Sequence, residues 1–207
     1  MPKLCLGGAF NPIHHGHLIC ARAAAEAAGL DTVVLVPNHV PPLNKLHPQA
    51  IPLELASPQD RLQMCRLAIA DADGFEVDDR ELRREGPSYT IDTAHQLLRD
   101  GWPQVHWLIG ADQVQILPKW HEATELVKLV HFLVMGRPGS VIDWDSIPAQ
   151  FRFLADRVIP APAMDISSTL VRRRVAEGLP IDFLTPPAVC RYIEDHGLYR
   201  SSQTCDS

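Results

Sequence analysis

The stretch from Gly7 to Leu18, Gly-Gly-Ala-Phe-Asn-Pro-Ile-His-His-Gly-His-Leu, constrains this chain more than any other. It follows a short apolar run, Leu4-Cys5-Leu6, and precedes an alanine-rich run from Ala21 to Ala28. That order predicts a strand, a tight turn and a helix. Gly7 and Gly8 are read as residues that bring the backbone close to a ligand and take φ values other residues avoid. Pro12 stiffens the turn. Gly16 and His17 then fall in the first helical turn, where several N–H groups lack intrahelical partners and the dipole favours negative charge. A helix start of this kind suits a phosphate. His14 and His17, three residues apart, share one face and place imidazole donors beside it.

Other glycine-bearing strand-to-helix turns fit this chain poorly. It contains neither G-x-x-x-x-G-K-[ST] nor G-x-G-x-x-G, so neither a P-loop nor a dehydrogenase-type dinucleotide fingerprint is expected. A zinc site at His14, His15 and His17 is disfavoured, because no cysteine or acidic residue stands at ligand spacing nearby. No resident metal site is expected.

With 207 residues and 46% hydrophobic composition, the chain can bury one sizeable core. No repeat or low-complexity linker divides it. Residues 1–200 are therefore expected to form one domain, with the polar stretch 201–207 as a frayed tail. The net charge of −6 argues against a general nucleic-acid surface. No apolar run is long enough to span a membrane, and the N-terminus lacks the pattern of a signal peptide. Five cysteines are scattered without C-x-x-C spacing, which fits a reducing cytoplasm. A homo-oligomer is left open.

The chain alternates short β-branched runs with helical patterns, which predicts an α/β sheet of parallel strands. Thr32–Val36, Phe75–Val77, Val105–Ile109, His131–Met135 and Arg157–Pro160 read as the strands after the first. Five prolines between Pro37 and Pro52 break regular structure in a segment that runs to Ser57. It leaves the C-terminal end of a strand, the edge where open α/β sheets bind ligands. Lys45 is there either to reach a phosphate or as a solvated loop lysine. Ser57 and Pro58 open a helix. Asp78 to Glu85 is a charged run expected at the surface. Ser88 or Thr90 is expected to cap the helix that ends near Gly101, a second place for an anion. Asp112, after the fourth strand, is either on the ligand edge or a cap for the next helix. Val141 to Leu154 is expected to include a short helix. Helices start near Ser167 and at Pro187, the latter ending at Gly197.

Asp165-Ile166-Ser167-Ser168-Thr169-Leu170-Val171-Arg172 repeats the logic of the first motif. Ser167 or Ser168 as N-cap would set hydroxyls and backbone N–H groups together. Arg172, four residues after Ser168, shares that face. A helix start with hydroxyls and a guanidinium suits a polyphosphate. Taken alone, the stretch also reads as an ordinary capped helix with a basic stripe.

Several pieces together, in order, carry a family resemblance. They are G-G-x-F-x-P-x-H-x-G-H (Gly7–His17), P-N-x-x-P-P (Pro37–Pro42), G-P-S-Y-T-x-D-T (Gly86–Thr93), L-I-G-A-D (Leu108–Asp112), L-x-x-W (Leu117–Trp120) and I-S-S-T-x-V-R (Ile166–Arg172). On these the chain resembles the bacterial nicotinate-nucleotide adenylyltransferases over nearly its whole length. It departs at Ala9 and Asn11, where that family has Thr and Asp, and at Leu43-Asn44-Lys45, where it has His-Lys or His-Arg.

The resemblance implies a Rossmann-like, doubly wound parallel sheet flanked by helices, with a small C-terminal helical part. It implies adenylyl transfer from ATP, with Mg²⁺, to nicotinate mononucleotide by direct in-line attack. His14, His17 and Arg172 would be catalytic. Gly8, Ala9, Phe10, Gly110, Asp112, Gly136, Arg137, Ser167 and Ser168 would join them at ATP. Asn38, Lys45, Thr90, Asp112, Trp120 and His121 would hold the mononucleotide. An enzyme for nicotinamide mononucleotide or another small phosphate, and a nucleotide-binding regulator without turnover, are the alternatives.

Overall fold

The computed structural model describes residues 2–42, 55–136, 142–160 and 162–200. Its centre is a six-stranded, all-parallel sheet. The strands are β1 (Lys3–Gly8), β2 (Thr32–Pro37), β3 (Phe75–Val77), β4 (Val105–Gly110), β5 (Val130–Gly136) and β6 (Val158–Pro160). They lie in the order β3-β2-β1-β4-β5-β6. This is the expected doubly wound arrangement, and its order reverses between β1 and β4.

Period-two alternation gives each strand two apolar faces. Cys5, Val34, Val36, Trp107, Ile109, Phe132 and Val134 face one core. It is covered by α3 (Thr90–Arg99), α5 (Ala123–Leu129) and a 3₁₀ stretch, Ala149–Arg157. Leu4, Val33, Leu35, Leu108 and Leu133 face the other. That side is covered by α1 (His15–Ala27), α2 (Pro58–Ala68), α6 (Ser168–Ala176) and α7 (Pro187–Asp195). The C-terminal helices thus belong to a main core. One turn of helix, α4 (Ala111–Val114), follows β4 directly.

Several local expectations change. The short helix expected within Val141–Leu154 is present in its described part, and it is 3₁₀ rather than α, at Trp144–Ser146 and from Ala149 onward. Neither Ser88 nor Thr90 caps α3: Tyr89 is the N-cap and makes no side-chain cap bond. The Ser88 hydroxyl accepts instead from the His39 N–H at 2.9 Å. The charged run at Asp78 is not uniformly exposed, since Glu81 is buried. Its Oε1 accepts from the Thr93 hydroxyl at 2.6 Å. The tail 201–207 lies outside the described residues.

Gly7 owes its identity to packing rather than to φ, and neither it nor Gly8 adopts a positive φ. A Cβ on Gly7 would stand 2.5 Å from Trp107 Cζ2 on the neighbouring strand. A Cβ on Gly8 would meet the Phe10 ring at 3.4 Å, an ordinary contact. Overpacking a rigid ring costs roughly 1–3 kcal/mol. Gly7→Ala should therefore lose about that much stability in urea unfolding, with Gly8→Ala losing less than half as much. Equal losses would contradict the packing explanation.

Candidate active site

The loop joining β1 to α1 is held by its own carbonyl groups. Arg61 Nη1 donates to Ala9 O at 2.7 Å and Arg172 Nη1 to Asn11 O at 2.7 Å. Ser168 Oγ donates to Pro12 O at 2.8 Å and Thr185 Oγ1 to Ile13 O at 2.8 Å. The Asn11 side chain is buried, and its Oδ1 accepts from Tyr199 Oη at 2.7 Å and from the Ala56 N–H at 3.0 Å. Burial pushes the Tyr199 phenol pKa up, which keeps it a donor. Donors from α2, α6 and the C-terminal segment therefore fix a loop with buried polar groups that must be satisfied.

Phe10 is the strained residue of this loop, at φ 46°. Its ring is buried and meets the His17 ring edge to face at 5.2 Å. It buttresses His17 and lines neither of the two cavities described below.

His14 and His17 cap α1 reciprocally. The His17 N–H donates to His14 Nδ1, and the His14 N–H donates to His17 Nδ1, both at 3.3 Å. The rings stack 3.7 Å apart. A nitrogen that accepts from a backbone N–H carries no proton, so each neutral ring holds its proton on Nε2. The pair thus becomes two Nε2–H donors at a helix start. Gly16 makes the approach of the second motif feasible: a Cβ there would lie 2.9 Å from His14 Nδ1 and 3.2 Å from Ile166 O.

Two cavities open at the C-terminal ends of β1 and β4, the switch point of the sheet. The first, about 330 Å³, is walled by Gly8, Ala9, Asn38, Thr90, Trp107, Asp112 and Trp120 among others. The second, about 300 Å³, is walled by His14, Gly16, Cys20, Met135, Ile166, Ser167 and Ser168 among others. Leu6, His17, Leu108 and Gly110 belong to both. Two ligands could therefore meet beside His17.

The residues expected from the sequence fall into three groups. Gly8, Ala9, Asn38, Thr90, Asp112 and Trp120 line the first cavity, Ser167, Ser168 and His14 the second, and His17 and Gly110 both. Arg172, Gly136 and the His121 ring line neither: Arg172 grips the β1–α1 loop, Gly136 packs against Val158, and His121 stacks on Tyr89 at 4.2 Å. Lys45 and Arg137 lie outside the described residues. Asp112 sits within the first turn of α4, whose N-cap is Gly110, and accepts from Gln113 Nε2 at 2.8 Å. Ser167 is the N-cap of α6, accepting from the Leu170 N–H at 3.1 Å.

Sequence reasoning missed Trp107, Glu81 and Arg61. Trp107 floors the first cavity by occupying the space Gly7 leaves. Glu81 lines the same cavity. Arg61 is fully buried, and desolvation draws its pKa down. A signal existed for Arg61, since it shares a helix face with buried Met64 and Cys65 at i+3 and i+4.

Comparison with known proteins places the chain in a family. The model of the cytidylyltransferase-like family matches residues 5–174. A probable nicotinate-nucleotide adenylyltransferase of Roseiflexus sp. (strain RS-1) is 43% identical, over 94% of this chain and 96% of its own. The chain belongs to this family. The nicotinate-nucleotide adenylyltransferase of Bacillus subtilis (strain 168) is 38% identical over 94% of this chain and 96% of that protein. A solved structure of Plasmodium falciparum nicotinic acid mononucleotide adenylyltransferase, complexed with NaAD, shares the fold. Its TM-score is 0.71 at 19% identity, covering 96% of this chain and 98% of the other.

Proposed function

We propose that this chain transfers the adenylyl group of ATP to nicotinate mononucleotide, giving nicotinate adenine dinucleotide and pyrophosphate, within NAD biosynthesis in the cytoplasm. The observation that carries this reading is the meeting of two cavities at His17 and Gly110 in a member of this family. ATP takes the cavity beside α6, and the mononucleotide takes the cavity beside α3, so that Gly8 and Ala9, expected at ATP, fall on the mononucleotide side. The reading of residues 1–200 as one unit is supported by cavity walls drawn from parts of the chain as distant as Leu6 and Ser168.

The mononucleotide phosphate is already an anionic nucleophile. Its oxygen attacks the α-phosphorus in line, the bond to the β-phosphate bridging oxygen breaks, and pyrophosphate leaves with the bonding electrons. No protein nucleophile or proton transfer is needed. The protein's task is to hold two anions together and stabilise charge moving onto the leaving group. His14 and His17 do so with Nε2–H donors, and the α6 start adds backbone N–H groups and nearby positive charge from Arg172. Ser168 spends its proton on Pro12 O, so it acts mainly by tying α6 to the first loop. Mg²⁺ arrives as part of the ATP substrate. The triphosphate oxygens would be its ligands, and it would supply further charge stabilisation to the leaving pyrophosphate.

Selection for the acid follows from the α3 start. Thr90 is buried at the first position of α3 and lines the cavity with Ser88 and Trp120. A helix start favours a carboxylate, while a carboxamide brings an N–H donor toward donors. Glu81 adds negative charge to this wall. Arg84, which donates to Tyr89 O and Thr93 Oγ1, both at 3.3 Å, offsets it.

Two outcomes are expected. His17→Ala, folded as wild type by circular dichroism, should lose about 10²–10³-fold in kcat, the usual cost of one charge-stabilising donor. Near-normal turnover would remove His17 from the reacting centre. In direct competition at equal concentrations, nicotinate mononucleotide should be used at least tenfold faster than nicotinamide mononucleotide. One mismatched polar contact costs about 1–3 kcal/mol. Equal yields of the two dinucleotides would contradict a carboxylate site at Thr90.

A further inference from the structure

Arg61 is completely buried, and its four hydrogen bonds all end on carbonyl or amide oxygens. Nε donates to Ala56 O at 3.1 Å. Nη1 donates to Ala9 O at 2.7 Å and to Asn38 Oδ1 at 3.2 Å. Nη2 donates to His39 O at 3.1 Å. The acceptors come from the loop after β1, the segment after β2 and the lead into α2. A buried guanidinium is costly, and an apolar side chain would fill this helix face at less cost. Holding three segments together accounts for part of its presence; the direction of its bonds accounts for more.

A guanidinium only donates. The Asn38 atom facing it is therefore Oδ1, which turns the Nδ2 amino group the other way. Asn38 lines the first cavity. We propose that Arg61 is a positioning residue for the acceptor substrate: it locks Asn38 so that only N–H donors face the mononucleotide phosphate. This rests on reading the first cavity as the acceptor side.

Asn38→Asp separates this role from a merely structural one. One carboxylate oxygen still accepts from Arg61 and adds a countercharge, so the melting temperature should be no lower than wild type. The other oxygen replaces the N–H donors with an anion. KM for nicotinate mononucleotide should then rise at least about tenfold, the scale of one lost charge-assisted hydrogen bond, with KM for ATP within about twofold. Arg61→Gln, whose amide both donates and accepts and so frees Asn38 to turn over, should raise the same KM selectively if it folds. An unchanged KM for the mononucleotide in Asn38→Asp, an equal rise in both KM values, or a lowered melting temperature would overturn the proposal. Wild-type protein that makes no nicotinate adenine dinucleotide would instead overturn the functional reading.

Discussion

The structure depends on how one buried loop satisfies its carbonyls. Between Ala9 and Ile13, four backbone oxygens end on side chains from α2, α6 and the segment before α7. Each bond is worth only about 1 kcal/mol net, yet leaving any of these buried acceptors unpaired costs more. The loop therefore has one arrangement that satisfies everything, and that arrangement sets the start of α1. From it follow the reciprocal capping of His14 and His17, the Nε2–H tautomer of both rings and the place where two cavities meet. The second motif both ties down the first loop and walls the second cavity.

Much of this was legible in the sequence, for physical reasons that can be named. Alternating apolar strands and helical runs forced a parallel sheet, and the glycine-bearing turn set the start of a helix at its C-terminal edge. What the sequence could not show was which contacts are made across the fold. Gly7 reads as a ligand-contact glycine, yet the ring of Trp107, a hundred residues later, occupies its missing side chain. Arg172 reads as a ligand guanidinium, and it bonds a backbone carbonyl. Glu81 reads as one member of a solvated charge run, but Thr93 holds it in the core-facing wall. Capping of α3 failed as an expectation because Ser88 had a better partner in the His39 N–H. Local patterns report local preference; tertiary hydrogen bonding reassigns the polar side chains.

The chemistry that emerges is one of placement. The protein supplies donors fixed before the substrates arrive, so little reorganisation is needed as charge moves. Polar groups are spent in two layers. Arg61, Ser168, Thr185 and Tyr199 hold the frame, and in the proposed reaction the histidine pair and helix starts face the substrates. Conservative changes in the frame are thus expected to act through the donors they aim.

The central claim is that the two nucleotides react directly, side by side at His17, with no enzyme-bound adenylyl group. The stereochemical course at phosphorus tests this most directly. With ATP made chiral at the α-phosphorus by isotopic oxygen and sulfur, a single in-line displacement inverts the configuration in the dinucleotide product. The account predicts inversion. Retention would require two displacements through a covalent enzyme intermediate and would contradict it.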